Sequence, residues 1–168
     1  MRDLFLHHIF FHSLIVYPEL AWSPANPKAQ GYQDWMLTAA EFKKILQSLY
    51  ERQYILVRQR DFFTFDAAGQ PHYQAPALPT GKRPLVLSLD DQNYYDYMQG
   101  SGFAQKLVLD AAGNIATQIV TPAQQVRITS DGDCLPILEN FIAAHPDFSF
   151  RGARGLIAVT GYEGLLGY

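Results

Sequence analysis

Two adjacent carboxylates, Asp90 and Asp91, follow an apolar run that spans residues 84–89. The run has the length and composition of a buried β-strand. Two acids at the end of such a strand cost free energy unless they bind a cation or transfer a proton. The pair is therefore the first candidate for a catalytic or metal-binding site.

The position of the pair suggests how the two acids divide the chemistry. In parallel α/β folds, ligands bind at the C-terminal ends of the strands. Neighbouring side chains on an extended backbone point to opposite faces, so Asp90 and Asp91 are expected to play different roles. One is suited to bind a divalent cation, and the other to act as general base on a metal-bound water. In the alternative without function, one Asp caps the loop and the other faces solvent.

The secondary structure predicted around this pair indicates a single α/β domain over residues 1–168. Because the strands between helices are continuously apolar, a parallel sheet is favoured. A β-hairpin is predicted as an insertion after the Asp-Asp strand, and residues 18–36 are expected to form a loop. The predicted strands are 9–17, 54–57, 84–89 and 156–160. One predicted helix runs from the Thr38 capping box to residue 52, and the other covers 135–144. The predicted hairpin pairs residues 106–109 with residues 115–120.

Composition limits the function classes. The chain has 168 residues, of which 48% are hydrophobic and 17% charged, as in a globular domain with a core of its own. A net charge of −3 gives no electrostatic case for a nucleic-acid partner. The lone Cys134 excludes an internal disulfide and a cysteine-based zinc site. The apolar run over residues 4–16 contains three histidines, so neither a membrane span nor a signal peptide is predicted there.

Residues Leu85-Val86-Leu87-Ser88-Leu89-Asp90-Asp91 resemble the first motif of the polysaccharide deacetylase family, the NodB-type carbohydrate esterases. In that family, the motif ends a barrel strand in an Asp-Asp pair. Phe10-Phe11-His12-Ser13-Leu14-Ile15 is similar to the family's first strand, which often carries an aromatic-His pair. Further similar stretches are 31–36, 90–95 and 156–168, so the resemblance covers essentially the whole chain.

This resemblance implies a distorted (β/α) barrel and a metal-dependent hydrolase. Members of the family remove acetyl groups from N-acetylated sugars, or O-acetyl groups from xylan, with a bound divalent metal that is often zinc. By motif position, Asp90 would be the catalytic base and Asp91 a metal ligand. The implied partner is an acetylated polysaccharide or cell-wall glycan, and the implied location is the cell envelope or the exterior.

Three further residues are candidates for contact with the substrate. Tyr94 and Tyr95 follow the acidic pair and either stack on sugar rings or pack in the core. By resemblance, His12 would lie at the mouth of the site. His8 lies four residues before His12, which on a strand separates the two by about 13 Å, so the two histidines are not expected to share a metal.

The sequence also departs from the family pattern. Two family metal ligands come from a His-[Ser/Thr]-x-x-His motif downstream of the acidic pair, but the only histidine after Asp91 is His145. Gln92 stands where the family usually has Gly. Because a catalytic zinc takes three protein ligands, one Asp does not suffice. We therefore expect the chain to correspond to the N-terminal part of such an enzyme, weakly active or inactive alone.

Two other function classes compete with the deacetylase. The first is a non-catalytic glycan-binding or interaction module that retains the deacetylase fold. The second is a receiver-like phosphoacceptor domain, which also ends a strand in an acidic pair. A receiver needs a further Asp at the end of a later strand and a downstream lysine. Residues 156–160 end without that Asp and no lysine follows Lys106, so this class ranks last.

Overall fold

A computed structural model describes residues 5–168; Leu4, where the apolar N-terminal run begins, lies outside them. The fold is mixed α/β, with a parallel sheet, a three-stranded antiparallel sheet and a small hairpin. In chain order, the elements are β1 (His7–Phe11), α1 (Pro18–Ala21), α2 (Ala29–Trp35), α3 (Ala39–Glu51), β2 (Tyr54–Leu56), β3 (Phe63–Phe65), β4 (Pro71–Tyr73), β5 (Arg83–Leu89), β6 (Ala104–Leu109), β7 (Ile115–Val120), β8 (Val126–Thr129), α4 (Cys134–Ala144) and β9 (Leu156–Ile157).

The strand that carries the acidic pair, β5, is the centre of the parallel sheet. On one edge, β5 pairs with β1 in the register His7↔Leu85 to Phe11↔Leu89. On the other edge, the first residues of β5 pair with β2, and its last two residues pair with β9. The end of β5 is therefore flanked by backbone on both sides, which fixes where the chain leaves the sheet.

Side-chain alternation along β5 gives the sheet two different faces. Leu85, Leu87 and Leu89 are buried in the main core, against Phe42 of α3 and Leu138 of α4. The opposite face carries Val86 and Ser88 of β5 and, from β1, His8 and Phe10. Phe10 is 55% exposed, so helices cover only one face of the sheet. No closed barrel is formed by the residues from 5 to 168.

Helix α3 begins at the predicted capping box. The Thr38 hydroxyl accepts a hydrogen bond from the Glu41 amide at 3.1 Å, and the Glu41 carboxylate accepts one from the Thr38 amide at 2.9 Å. These reciprocal bonds satisfy two donors that the first turn of a helix otherwise leaves free. The hydrogen bond from the Thr38 amide favours the ionised form of Glu41 and lowers the pKa of its carboxyl.

Replacing Thr38 by alanine is expected to lower the free energy of unfolding by about 1 kcal/mol, because the Glu41 amide loses its acceptor. Equilibrium unfolding in urea measures this change. Thr38→Ser keeps the hydroxyl and is the matched control, with an expected loss of less than about 0.5 kcal/mol. Equal losses in the two variants would contradict a capping role.

The predictions for the first and last strands and for the loop at 18–36 were partly wrong. Residues 18–36 contain α1, which begins at Pro18, and α2, whose Tyr32 packs edge-on against the Phe103 ring with centroids 5.0 Å apart. Strand β1 ends at Phe11, because the chain leaves the sheet there and Ile15 instead forms an isolated bridge with Phe103. Strand β9 is only two residues long and is exposed rather than buried.

The predicted hairpin after the Asp-Asp strand is confirmed as β6 and β7, and the structure adds β8 to it. Its turn is organised by Asp110, whose Oδ1 accepts hydrogen bonds from the amides of Ala112 and Asn114. Asp66 makes the same pair of bonds in the turn between β3 and β4. Both D-A-A-G segments therefore form Asp-nucleated turns.

Candidate functional site

Asp90 and Asp91 lie at the C-terminal end of β5, as the sequence predicts. The Asp90 amide donates to the Phe11 carbonyl at 2.7 Å, which continues the pairing with β1. On the other side, the Ala158 amide donates to the Leu89 carbonyl at 2.9 Å. These two bonds hold the backbone immediately before the acidic pair, so both carboxylates project from a fixed point.

The carboxylate of Asp90 lines a cavity of about 310 Å³ on the uncovered face of the sheet. The same cavity is lined by His8, Ser88 and Gln59. The His8 Nε2 atom lies 2.9 Å from the Ser88 hydroxyl, so the imidazole ring is held against β5. Asp90 therefore shares its cavity with an imidazole, a hydroxyl and an amide.

Asp91 lines a separate cavity of about 220 Å³, to which His12, Trp35, Tyr95 and Tyr97 also contribute. Its backbone adopts a φ of 49°, in the left-handed region. For a residue with a Cβ this conformation costs about 1 kcal/mol, and Asp is one of the few types that adopt it. The turn at Asp91 directs its side chain away from that of Asp90.

Aromatic rings surround the Asp91 cavity. Tyr95 and Tyr97 are stacked with centroids 5.6 Å apart and ring planes 13° from parallel. Tyr162 from the C-terminal loop approaches Tyr95 at 6.0 Å. The Trp35 side chain is 79% exposed at the same cavity. Flat apolar rings beside a carboxylate are the kind of surface on which sugar rings stack.

The structure brings together some of the predicted site residues and separates others. His12, Asp91 and Tyr95 line one cavity, whereas Asp90 lines the other. The Tyr95 hydroxyl lies 3.2 Å from Thr160 Oγ1. The side chain of Tyr94 is buried, and its hydroxyl donates to Asp133, so packing accounts for this residue.

Asp133 is a centre of buried polar contacts that was not predicted from the sequence. Its Oδ1 accepts hydrogen bonds from the amides of Leu14 and Cys134, and its Oδ2 from Gln92 Nε2 and the Tyr94 hydroxyl. Asp133 is fully buried. Burial raises the pKa of its carboxyl, although all four donors favour the ionised form. Asp133 thereby ties the end of β1 and the start of α4 to the loop after the acidic pair.

The two amide side chains directly after the acidic pair form hydrogen bonds with distant parts of the chain. Gln92, at the position where the family usually has Gly, is 1% exposed and donates to Asp133 at 3.0 Å. Asn93 donates to the carbonyls of Tyr162 and Glu163 and accepts from the Gly167 amide. The polar pair Gln92-Asn93, between the acidic pair and the aromatic residues Tyr94 and Tyr95, was the signal in the sequence that could have indicated these buried contacts.

The donor set does not fit a resident zinc ion. Within residues 5–168, no three His, Cys, Asp or Glu side chains converge as metal ligands. A catalytic zinc site takes three protein ligands, and here Asp90 and Asp91 line different cavities. Among the described residues, each of these two cavities is lined by one carboxylate and one histidine, which are too few ligands for zinc.

Comparisons with known proteins add no further constraint. No family model, curated protein or solved structure matches this chain. In the part of the chain that is described, no helix has the length and apolar character needed to cross a bilayer.

Proposed function

We propose that this chain is the acidic-pair part of a metal-dependent deacetylase that acts on acetylated polysaccharide of the cell envelope. In this proposal, the intact enzyme has the distorted (β/α) barrel, of which the described sheet is one portion. The observation that carries the proposal is that two adjacent carboxylates at the end of a central parallel strand line two different cavities. That separation supports a division of roles between the two acids.

Asp90 is assigned as the general base. It is partly buried at the strand end, and it lies in a cavity with His8 and Ser88, where a water molecule has several polar partners. Asp91 is assigned as a metal ligand beside His12. The described residues do not complete a zinc site around Asp91. The proposal accordingly expects the chain to be weakly active or inactive alone.

The test compares binding and turnover of acetylated and deacetylated oligomers. We expect N-acetylglucosamine pentamer to bind more tightly than the glucosamine pentamer, as measured by protein NMR shifts, with a trace of acetate release at most. Asp91→Asn is expected to remove this preference. Glu51→Gln alters an exposed carboxylate at the end of α3 that lines neither cavity, and it is the matched control, with no expected effect.

Two results would contradict this proposal. Equal affinity for the acetylated and deacetylated pentamers would refute recognition of the acetyl group. Tight zinc binding together with steady turnover by the wild-type chain would refute the expectation of weak activity, since it would require a complete metal site.

A non-catalytic glycan-binding module is the second candidate. The stacked Tyr95 and Tyr97 rings and the exposed Trp35 beside Asp91 favour it. Aromatic pairs contribute about 0.5–1.5 kcal/mol beyond the burial of their area, and we expect a sugar ring stacked on these side chains to contribute on the order of 1 kcal/mol. Glycan affinity that survives both Asp90→Ala and Asp91→Ala, but falls in Trp35→Ala, would favour this module over the deacetylase.

A further inference from the structure

A third cavity, of about 520 Å³, opens on the same uncovered side of the sheet as the Asp90 cavity. Its apolar lining comes from Phe63 and Phe65 of β3, Val86 of β5 and Leu156 of β9. Arg58 and Arg60 are among its polar lining residues. We call this cavity the arginine groove. Its volume lies within the roughly 300–1,000 Å³ range of small-molecule sites, which are mostly apolar with few polar groups.

Three apolar side chains of the groove, those of Phe63, Phe65 and Leu156, are exposed to solvent. Phe65 is 69% exposed and Leu156 is 45% exposed. Val86 belongs to a small buried cluster with Val57 and Phe62, which forms a packed base beneath them. An apolar chain bound here would remove these exposed side chains from water, and the gain is proportional to the area covered.

The charge of the groove has one sign. Three arginines line it, Arg58, Arg60 and Arg154, and no carboxylate does, although the chain carries a net charge of −3. Arg58 donates to the Arg151 carbonyl, and Arg154 pairs with Glu139. The guanidinium of Arg60, by contrast, forms no hydrogen bond or ion pair with a side chain or backbone group in the described range 5–168.

We propose that the arginine groove binds a medium-chain aliphatic carboxylate. The alkyl chain lies on Phe63, Phe65 and Val86, and the Arg60 guanidinium binds the carboxylate. Arginine presents paired N–H donors that match the two carboxylate oxygens, and its charge favours an anion over an alcohol or an amine of equal length. An alkyl ammonium ion would instead meet the positive charges of Arg58 and Arg60, which have no carboxylate partner in the groove.

The groove shares no lining residue with the aromatic Asp91 cavity but lies next to the Asp90 cavity. The two cavities share Gln59, Val86 and Leu156 as lining residues. Because Asp90 carries a carboxylate, the far end of the shared space repels a bound anion and favours its location near Arg60. The inference does not depend on the proposed deacetylase function.

The test is isothermal titration with octanoate, octan-1-ol and octylammonium, which share a chain length and differ in the head group. We expect saturable binding of octanoate at one site, about tenfold weaker binding of octan-1-ol, and none of octylammonium. Arg60→Gln is expected to lower the affinity for octanoate about tenfold and to leave the affinity for octan-1-ol unchanged. Arg127→Gln, on the separate β6–β8 sheet, is the matched control and should change neither.

A second variant separates binding from folding. Phe65→Ser alters an exposed side chain and is expected to weaken both octanoate and octan-1-ol while leaving the unfolding midpoint in urea unchanged. Equal affinities for octanoate and octan-1-ol, or no saturable octanoate binding, would overturn the proposal. Binding of an acidic amphipathic peptide without octanoate binding would also overturn it. Arg60→Gln should leave the preference for the acetylated pentamer intact. A failure of the octanoate proposal is therefore distinguishable from a failure of the deacetylase proposal.

Discussion

Replacing Asp133 by alanine is expected to lower the free energy of unfolding by at least about 3 kcal/mol. The substitution removes the acceptor for four buried donors at once: the amides of Leu14 and Cys134, the Gln92 side chain and the Tyr94 hydroxyl. Each buried donor left without a partner costs about 1–3 kcal/mol. Partial relaxation and entry of water reduce the sum, so the expected loss is smaller than four full penalties.

Asp133→Asn is expected to be milder, with a loss of about 1–2 kcal/mol. The amide oxygen still accepts from the two backbone donors, while the amide nitrogen faces Gln92 and Tyr94. Gln92 Oε1 is buried without a hydrogen-bond partner, so rotation of the Gln92 amide lets it accept from the new donor. Urea unfolding measures both variants, with the exposed Asp131→Asn as control. A loss below 1 kcal/mol in Asp133→Ala would show that the buried contacts are not needed.

Comparing the free energy of unfolding of wild type and Asp133→Asn at different pH values isolates the titration of Asp133. Burial raises the pKa of its carboxyl in the folded state above the ordinary value. The folded protein then holds this proton to higher pH than the unfolded chain does. The contribution of Asp133 to stability is therefore fully present below the unfolded-state pKa and declines as pH rises through the folded-state pKa. Since asparagine does not titrate, the stability of wild type relative to Asp133→Asn should fall as pH rises from the unfolded-state pKa to the folded-state pKa of Asp133.

Local signals in the sequence were sufficient for several elements. The apolar run at 84–89 predicts β5, and the Thr38–Glu41 spacing predicts the start of α3, because strand burial and helix capping depend on neighbouring residues. Alternation along a strand also predicts that Asp90 and Asp91 diverge. They do line different cavities, but the cause is the turn at Asp91, with its φ of 49°, because β5 ends before the pair. The catalytic and ligand roles of the two acids remain predictions.

Other features depend on contacts between distant parts of the chain. Helix α2 is short and is anchored by Tyr32, which packs on Phe103 and donates to the Tyr97 carbonyl. The four contacts of Asp133 join residues up to 119 positions apart. No local pattern encodes such pairings, because a buried carboxylate and a solvated helix cap look the same in a sequence. The exposure of β9 is likewise set by what packs on the sheet, not by its own apolar residues.

Replacing Asn93 by alanine is expected to detach the C-terminal loop from the end of β5. The side chain of Asn93 is buried and bonds three backbone groups, at Tyr162, Glu163 and Gly167, over 2.9–3.0 Å. Loss of these bonds should cost about 2 kcal/mol and leave two carbonyls and one amide to be solvated. Hydrogen exchange of the Gly167 amide, which donates to Asn93 Oδ1, should accelerate at least about tenfold.

The same variant tests whether the loop forms part of the Asp91 cavity. Tyr162 lies in this loop and approaches the Tyr95 ring, and Thr160 before it contacts the Tyr95 hydroxyl. If the loop positions these groups, Asn93→Ala should weaken glycan binding while Asn140→Ala, at an exposed position of α4, changes neither exchange nor binding. Unchanged protection of the Gly167 amide in Asn93→Ala would mean that other contacts hold the loop, such as the bond from the Leu107 amide to the Leu166 carbonyl. The side chain of Asn93 would then be dispensable for the shape of the cavity.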